Sequence, residues 1–245
     1  MTSANQKPSR QTEDANGRCL RRFVRGHNHV TLYLGDCLEI APTLQGVDAV
    51  ITDPPYGMNL NTRNGTRGNT PPNETRKRTA NNWPAVIGDD KPFDPSPWIG
   101  YPIVVLWGAN YYCERLIGGT KWLVWDKREG LLVNDNSDCE MAWTNKKGLL
   151  RIHRQLWAGL MQRGEENGAS RIHPCQKPIA LMAFCMEETK VPVGATVLDP
   201  YMGSGTTGIA CLRTNRNFVG IEKDPDHFKT ACARLERECN QGVLL

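Results

Sequence analysis

The chain has 245 residues and a formal net charge of +4, which is room for one sizeable α/β domain or two small ones. No stretch is long and apolar enough to span a bilayer, and Met1 to Gly17 lacks the hydrophobic centre of a signal peptide. Nine cysteines without a C-x-x-C pair argue for buried thiols in a reducing, cytoplasmic setting rather than a disulfide framework or a metal site.

Residues 1 to about 25 read as a flexible tail. From His29, the pattern Val30 to Leu34 predicts a short strand ending in Gly35-Asp36, and Cys37 to Leu44 a short helix closed by Gly46. The apolar run Val47 to Thr52 predicts a buried strand of a parallel sheet. Residues 57 to about 85 break the pattern: they are rich in Asn, Thr, Gly and Pro and carry Arg63, Arg67, Arg76, Lys77 and Arg78 against the single acid Glu74. A loop this long inside a domain is usually functional or disordered. The plain reading is a solvated insertion; the functional one is a mobile basic arm that closes over a polyanion, favoured by its place directly after the strand.

Order resumes at Trp98. Strands are expected at Ile103 to Leu106, before Gly108-Ala109-Asn110, and at Lys121 to Trp125, before Asp126-Lys127. Cys139 to Trp143 and Leu156-Trp157 are shorter apolar elements. Pro178 to Thr189 is an expected helix, Thr196 to Leu198 a strand, Thr206 to Arg213 a helix, Phe218 to Ile221 a strand, and Pro225 to about Glu238 a last helix. Trp107, Trp125 and Trp143 are expected in the core. Strands alternating with helices predict a doubly wound, mostly parallel α/β sheet in one domain, 26–245.

Two segments carry chemistry. Asp53-Pro54-Pro55-Tyr56 follows the 47–52 strand at its C-terminal end, where ligands of open α/β sheets bind. Proline has no N–H, so the segment presents carbonyls and a carboxylate without competing donors, beside a flat ring. That is an acceptor cluster for an –NH₂ group; the alternative is a strand-ending turn. The second segment is Asp199-Pro200-Tyr201-Met202-Gly203-Ser204-Gly205-Thr206-Thr207-Gly208, between a strand and a helix. Gly203, Gly205 and Gly208 match G-x-G-x-x-G, with Glu222 at the end of the next strand, so a nicotinamide dinucleotide must be weighed. Charge speaks against it. The fingerprint lays a pyrophosphate on a helix N-terminus, and Asp199 at the mouth of the loop opposes a diphosphate but suits an ammonium group. An adenosine with an amino-acid tail fits better, with Glu222 accepting from ribose hydroxyls and Asp199 facing the amine. That ligand is S-adenosyl-L-methionine. The loop lacks the Lys of a triphosphate-binding P-loop.

Together the two segments resemble the amino-methylating DNA methyltransferases, which modify adenine N6 or cytosine N4. Asp53-Pro54-Pro55-Tyr56 looks like the catalytic motif, and residues 199–207 look like the cofactor loop. His173-Pro174-Cys175-Gln176-Lys177-Pro178 resembles the motif preceding that loop in the β-type order. Gly35-Asp36-Cys37 resembles the segment near the cofactor adenine, and Phe218 to Glu222 the strand whose acid holds the ribose. Trp122 to Lys127 resembles another family strand. The family usually has Phe where Tyr201 stands and Thr where Cys175 stands. Sequence-specific members carry a sizeable target-recognition region before the His-Pro segment, whereas Gly159 to Arg171 offers a short polar link. A short or relaxed recognition sequence, as in compact phage-type enzymes, is therefore expected.

The resemblance implies a seven-stranded S-adenosylmethionine-dependent methyltransferase sheet and a DNA substrate whose base is extruded at a cost of a few kcal/mol. It implies catalysis by Asp53, Pro54, Pro55 and Tyr56, with Tyr56 stacking on the base and Asp53 and the Pro54 carbonyl accepting the amino hydrogens. The cofactor would be held by Asp36, Cys37, Asp53, Lys177, Asp199, Tyr201, Gly203, Ser204, Gly205, Thr206, Glu222 and Lys223, with Lys177 at the cofactor's carboxylate. Arg63, Arg67, Arg76, Lys77 and Arg78 would touch DNA. Double-stranded DNA is the expected partner; single-stranded DNA and a homodimer stay open. Asp53, rather than Ser, leans to adenine in this family, with cytosine N4 second. Pro174-Cys175-Gln176 also resembles the nucleophile segment of cytosine-C5 enzymes, but there it follows the cofactor loop. A non-catalytic nucleic-acid-binding protein and a nicotinamide oxidoreductase remain as readings of other classes.

Overall fold

The elements in chain order are β1 (Gln11–Glu13), β2 (Cys19–Arg25), β3 (Asn28–Leu34), α1 (Cys37–Ile40), β4 (Ala49–Thr52), β5 (Leu60–Asn61), β6 (Thr66–Arg67), β7 (Ile103–Trp107), β8 (Trp122–Asp126), β9 (Cys139–Thr144), β10 (Arg151–Arg154), β11 (Trp157–Ala158), β12 (Met161–Gln162), α2 (Ile179–Glu188), β13 (Thr196–Asp199), α3 (Thr206–Arg213), β14 (Asn217–Glu222) and α4 (Pro225–Asn240). The structure is a computed structural model and describes residues 11–13, 19–61, 66–67, 87–130, 137–158, 161–162 and 176–241.

Ten of the strands form one mixed sheet in the order β1-β2-β3-β14-β13-β4-β7-β9-β8-β10. From β3 to β7 every neighbour is parallel. β9 then runs antiparallel between β7 and β8, and β10 pairs with β8 in parallel. The central strands β4 and β7 are buried at every position, as parallel strands covered on both faces must be. Side chains of one strand alternate between two cores. Ala49, Ile51, Ile103 and Val105 join the core that α2, α3 and α4 cover with Leu181, Ile209, Leu212 and Leu235. Val50, Val104 and Leu106 join the opposite core with Ile40, Phe93, Trp98 and Tyr112. Trp107, Trp125 and Trp143 are all buried in these cores, as expected.

The sheet has ten strands rather than seven, and two of the additions are strands that the side-chain pattern hides. Cys19–Arg25 is not tail: it pairs antiparallel with β3 from Leu20↔Tyr33 to Arg25↔Asn28. Its arginines disguise it, yet Leu20 and Phe23 are buried, and Arg25 Nη1 reaches Glu238 Oε1 at 3.0 Å on α4. Long cationic side chains can lie over an apolar surface with the charge carried to a partner. β10 (Arg-Ile-His-Arg) is an edge strand, where charge protects against unwanted pairing.

Glycines set the approach of α3 to the sheet. Gly203 and Gly205 take φ of +51° and +80°, turning the chain from β13 into α3. Gly208 lets α3 lie against β14 and α4: a Cβ there would fall 2.6 Å from the Phe218 ring and 2.9 Å from Leu235. Alanine gains about 1 kcal/mol of helix propensity over glycine, but overpacking a tight contact costs about 1–3 kcal/mol. Gly208→Ala is therefore expected to destabilise the fold on balance, by about 1 kcal/mol. Urea denaturation checks this; a rise in midpoint would count against the packing argument.

Candidate active site

β4 and β13 are parallel neighbours, with Val197 opposite Ala49 and Leu198 opposite Val50. Both strands therefore end at the same edge of the sheet, and Asp53 emerges beside the Asp199 loop. A clasp joins the two ends: Thr52 Oγ1 donates to Asp199 Oδ1 at 2.6 Å. Thr207 Oγ1 donates to Oδ2 at 2.6 Å, and the Tyr201 N–H donates to Oδ1 at 3.1 Å. Asp199 is buried. Burial pushes its carboxyl up to about 6, against the pull of these three donors. The expectation that Asp199 presents its charge at the loop mouth is corrected: its carboxylate is engaged inside the loop, because neutral donors on both sides take it.

Two more loop residues turn away from the mouth. Arg234 Nη1, on α4, donates to Ser204 Oγ at 2.9 Å, to Ser204 O at 2.8 Å and to Thr206 Oγ1 at 3.3 Å. Ser204 and Thr206, expected to touch a cofactor, are buried and brace the loop against α4 with their hydroxyls.

The remaining residues of the expected cofactor set gather where β3, β13 and β14 end. Glu222 accepts the Gly203 N–H at 2.9 Å and the Asp224 N–H at 2.8 Å, and burial raises its carboxyl. Each oxygen keeps a second acceptor site. The Gly35 N–H donates to Glu222 O at 2.9 Å, which ties the Gly35-Asp36-Cys37 turn to the end of β14. Asp36 caps α1 through the Leu38 N–H at 2.9 Å and pairs with Lys223 at 2.9 Å; that ammonium and that N–H hold its carboxyl low. Cys37 is buried, which pushes its thiol up to about 11 although Tyr201 shares a hydrogen bond with it. The Tyr201 ring meets Phe93 and Trp98 edge-on, each with centroids 5.9 Å apart.

Around Asp53 the charges alternate. Tyr56 Oη donates to Asp53 Oδ1. Lys177 Nζ lies 2.5 Å from Asp53 Oδ2, 3.2 Å from Tyr56 Oη and 3.1 Å from Glu140 Oε2. Glu140 Oε1 in turn pairs with Lys127 at 2.8 Å. Lys177, expected at a cofactor carboxylate, thus has its ammonium committed to two carboxylates of the protein. Burial raises the Asp53 carboxyl, with the charge of Glu140 adding to that and Lys177 opposing it. Burial pushes Glu140 the same way, but the ammonium groups of Lys177 and Lys127 outweigh it and hold Glu140 at about 2.

The Tyr56 ring rests against Gly108, whose φ is +70° and where a Cβ would fall 2.0 Å from the ring. It also lies parallel to Tyr111, with centroids 5.3 Å apart and planes 13° apart. Pro54 is buried. The chain after Tyr56 is pinned by buried Asp89, whose Oδ1 accepts the Gly57 and Met58 N–H groups at 2.9 and 3.1 Å.

Lys127, Glu140, Asp89 and Tyr111 escape the sequence reading. A lone acid in the apolar strand 139–144 was a signal for Glu140; nothing local marks Asp89 or Tyr111. Arg63, Arg76, Lys77, Arg78, His173, Pro174 and Cys175 lie outside the described residues, and Arg67 is described only by its backbone in β6. Among the described residues no His, Cys, Asp or Glu group of three or more could hold a metal ion, and no helix is long and apolar enough to cross a membrane.

Residues 119–233 match the N6/N4 family model described as DNA methylase. The Type II methyltransferase M2.DpnII of Streptococcus pneumoniae is 29% identical over 130 residues, which cover 53% of this chain and 47% of that protein. M2.LlaDCHI of Lactococcus lactis subsp. cremoris is 27% identical over 135 residues, 55% of this chain and 48% of that one. The chain thus spans about half the length of these curated relatives. The PvuII DNA methyltransferase, described as cytosine-N4-specific, shares the fold: TM-score 0.53, 15% identity, 88% of each chain covered.

The Asp199 clasp has a pH signature. Its folded-state pKa, about 6, lies above its ordinary 3.8, so between those values the folded state holds more protons than the unfolded one. Stability therefore falls as pH rises from about 4 to about 6 and levels above it, by on the order of 3 kcal/mol. Asp199→Asn keeps an acceptor for Thr52 and Tyr201 but binds no proton. Urea denaturation between pH 4 and 7 should show the wild type losing stability relative to Asp199→Asn; parallel curves would refute the assignment.

Proposed function

We propose that this chain, whose residues 119–233 match the N6/N4 DNA methylase family model, transfers a methyl group from S-adenosyl-L-methionine to the N6 amino group of adenine in DNA. The observation that carries this reading is the adjacency of β4 and β13, which sets the Asp53-Pro54-Pro55-Tyr56 segment beside the glycine loop at one sheet edge. Two half-sites with different chemistry meet there: acceptors for an amine, and a glycine-lined turn with an acid at the end of the next strand.

The residues fit the cofactor. Glu222 is pre-oriented by the Gly203 and Asp224 N–H groups and keeps acceptor sites for a ribose diol. Asp36, Cys37, Tyr201 and Lys223 lie beside Glu222 where β3, β13 and β14 end, and Gly205, at φ +80°, turns the chain into α3. When bound, S-adenosyl-L-methionine supplies a methyl group on a sulfonium, open to in-line displacement.

The protein's own task is to make a poor nucleophile a better one. The lone pair of the adenine amino nitrogen is delocalised into the ring. Asp53 and the Pro54 carbonyl accept its two hydrogens and favour a pyramidal nitrogen with the lone pair turned to the methyl. Each Asp53 oxygen has a second acceptor site beyond those used by Tyr56 and Lys177. Tyr56 stacks on the extruded ring in the place where Tyr111 now lies parallel to it, a contact worth about 1–3 kcal/mol. Positioning and fixed charge carry the rate. As the new N–C bond forms the sulfonium's C–S bond breaks, the methylated nitrogen gives its extra proton to the Asp53 carboxylate that accepts its hydrogen and thence to solvent, and no covalent enzyme intermediate forms. The basic stretch after Tyr56, with Arg63, Arg67, Arg76, Lys77 and Arg78, supplies positive charge for DNA phosphates. The short polar link from Gly159 to Arg171 ahead of the His173-Pro174 segment accords with a short or relaxed target sequence, and the enzyme works in the cytoplasm of a bacterial or phage-infected cell.

Asp53→Ala should lower methyl transfer to DNA by at least about 10²-fold, with cofactor affinity by calorimetry changed only a few-fold. Mass spectrometry of nucleosides from treated plasmid should show N6-methyladenine. N4-methylcytosine instead would move the substrate to cytosine. A folded, cofactor-binding protein that leaves DNA unmethylated would refute the proposal.

A further inference from the structure

Glu140 and Lys127 have no part in the acceptor segment or the glycine loop, yet they continue the charge series that begins at Asp53. β9 runs antiparallel to both its neighbours, so its first residues, not its last, lie where β8 ends: Glu140 pairs with Trp125 and Cys139 with Asp126. That reversal brings a carboxylate from the start of one strand to the edge at which the parallel strands finish. Lys177, just before α2, is buried, and its ammonium spans the two acids at 2.5 Å from Asp53 Oδ2 and 3.1 Å from Glu140 Oε2. Lys127, just after β8, closes the series at 2.8 Å from Glu140 Oε1.

We infer that Glu140 is a positioning residue for methyl transfer: it shares the Lys177 ammonium with Asp53, so that less of the Asp53 charge is withdrawn and that carboxylate stays a strong acceptor for the substrate amine, while Lys127 sets how much of the ammonium's charge Glu140 takes. The inference rests on the reading of Asp53 as the amine acceptor. An ammonium paired with a single carboxylate withdraws that carboxylate's charge, and one shared between two does so less. The groups facing Asp53 are Lys177, Tyr56, Glu140, Tyr112 and Asp199. Those facing Glu140 are Lys177, Lys127, Asp53 and Tyr56. Of these, only Lys127 stands on the far side of Glu140 from Asp53 in the series. Removing Glu140 and removing Lys127 therefore push Asp53 in opposite directions.

The experiment measures kcat for methyl transfer to plasmid DNA against pH, with calorimetry of S-adenosyl-L-methionine binding, for wild type, E140Q, E140D and K127Q. E140Q should move the acid limb of the profile down by about one pH unit and lower kcat at neutral pH about tenfold, with cofactor affinity unchanged within about twofold. E140D keeps the charge, and its acid limb should stay with that of wild type. K127Q leaves the Glu140 charge unopposed on the outer side and should move the limb up. It stands as a separate test on a partly exposed side chain if E140Q fails to fold. Acid limbs that coincide in E140Q and wild type, or move the same way in E140Q and K127Q, overturn the inference. A wild type that binds the cofactor but methylates no DNA overturns the underlying reading instead, which is a separate result.

Discussion

The pairing of β4 with β13 is the constraint from which the site follows. Asp53 and the glycine loop are separated by about 150 residues of sequence, and only this ladder sets them side by side. The Thr52–Asp199 hydrogen bond locks the two ends at the point where the ladder stops. Register matters because side chains alternate across a strand: a slip of one residue would send Thr52 to the other face and break the clasp. The core enforces the register. Ala49 and Ile51 fill one side of the sheet, Val50 the other, and no exchange of the two sets keeps both cores filled.

Two aspartates at that edge share a burial penalty and answer it differently. Asp199 is met by two hydroxyls and a backbone N–H, all neutral, so its carboxyl stays well above its ordinary value. Asp53 is met by an ammonium and a phenol, and the ammonium is itself shared with Glu140. The first arrangement fixes a loop. The second leaves a carboxylate whose strength as an acceptor depends on Glu140, from a strand two places away in the sheet. In a low-dielectric site, such differences in partner charge outweigh differences in distance of a few tenths of an ångström.

The glycine loop holds its shape through the same division of labour. Its side-chain hydroxyls face inward, Ser204 and Thr206 to Arg234 and Thr207 to Asp199, which fixes the turn between β13 and α3. Gly208 serves packing alone, since the Phe218 ring occupies the space of its Cβ. A motif that reads as ligand contact in sequence is thus, residue by residue, largely a device for holding a turn against α4 and β14.

Local pattern determined much of this protein. The apolar runs at β4, β7, β13 and β14, the helices α2, α3 and α4, and the three core tryptophans are legible because burial on both faces, helical period and glycine punctuation all act within a few residues. The two motif segments are legible for the same reason. What the tertiary structure alone decided is each case in which a residue's partner is distant. β2 and β10 are strands despite their arginines because backbone pairing, not side-chain polarity, holds them. Asp199 and Lys177 face protein groups rather than open cleft because Thr52, Asp53 and Glu140 arrive from other strands. Glu140 reaches the site because β9 runs backwards through the sheet, a fact of topology that no window of sequence contains.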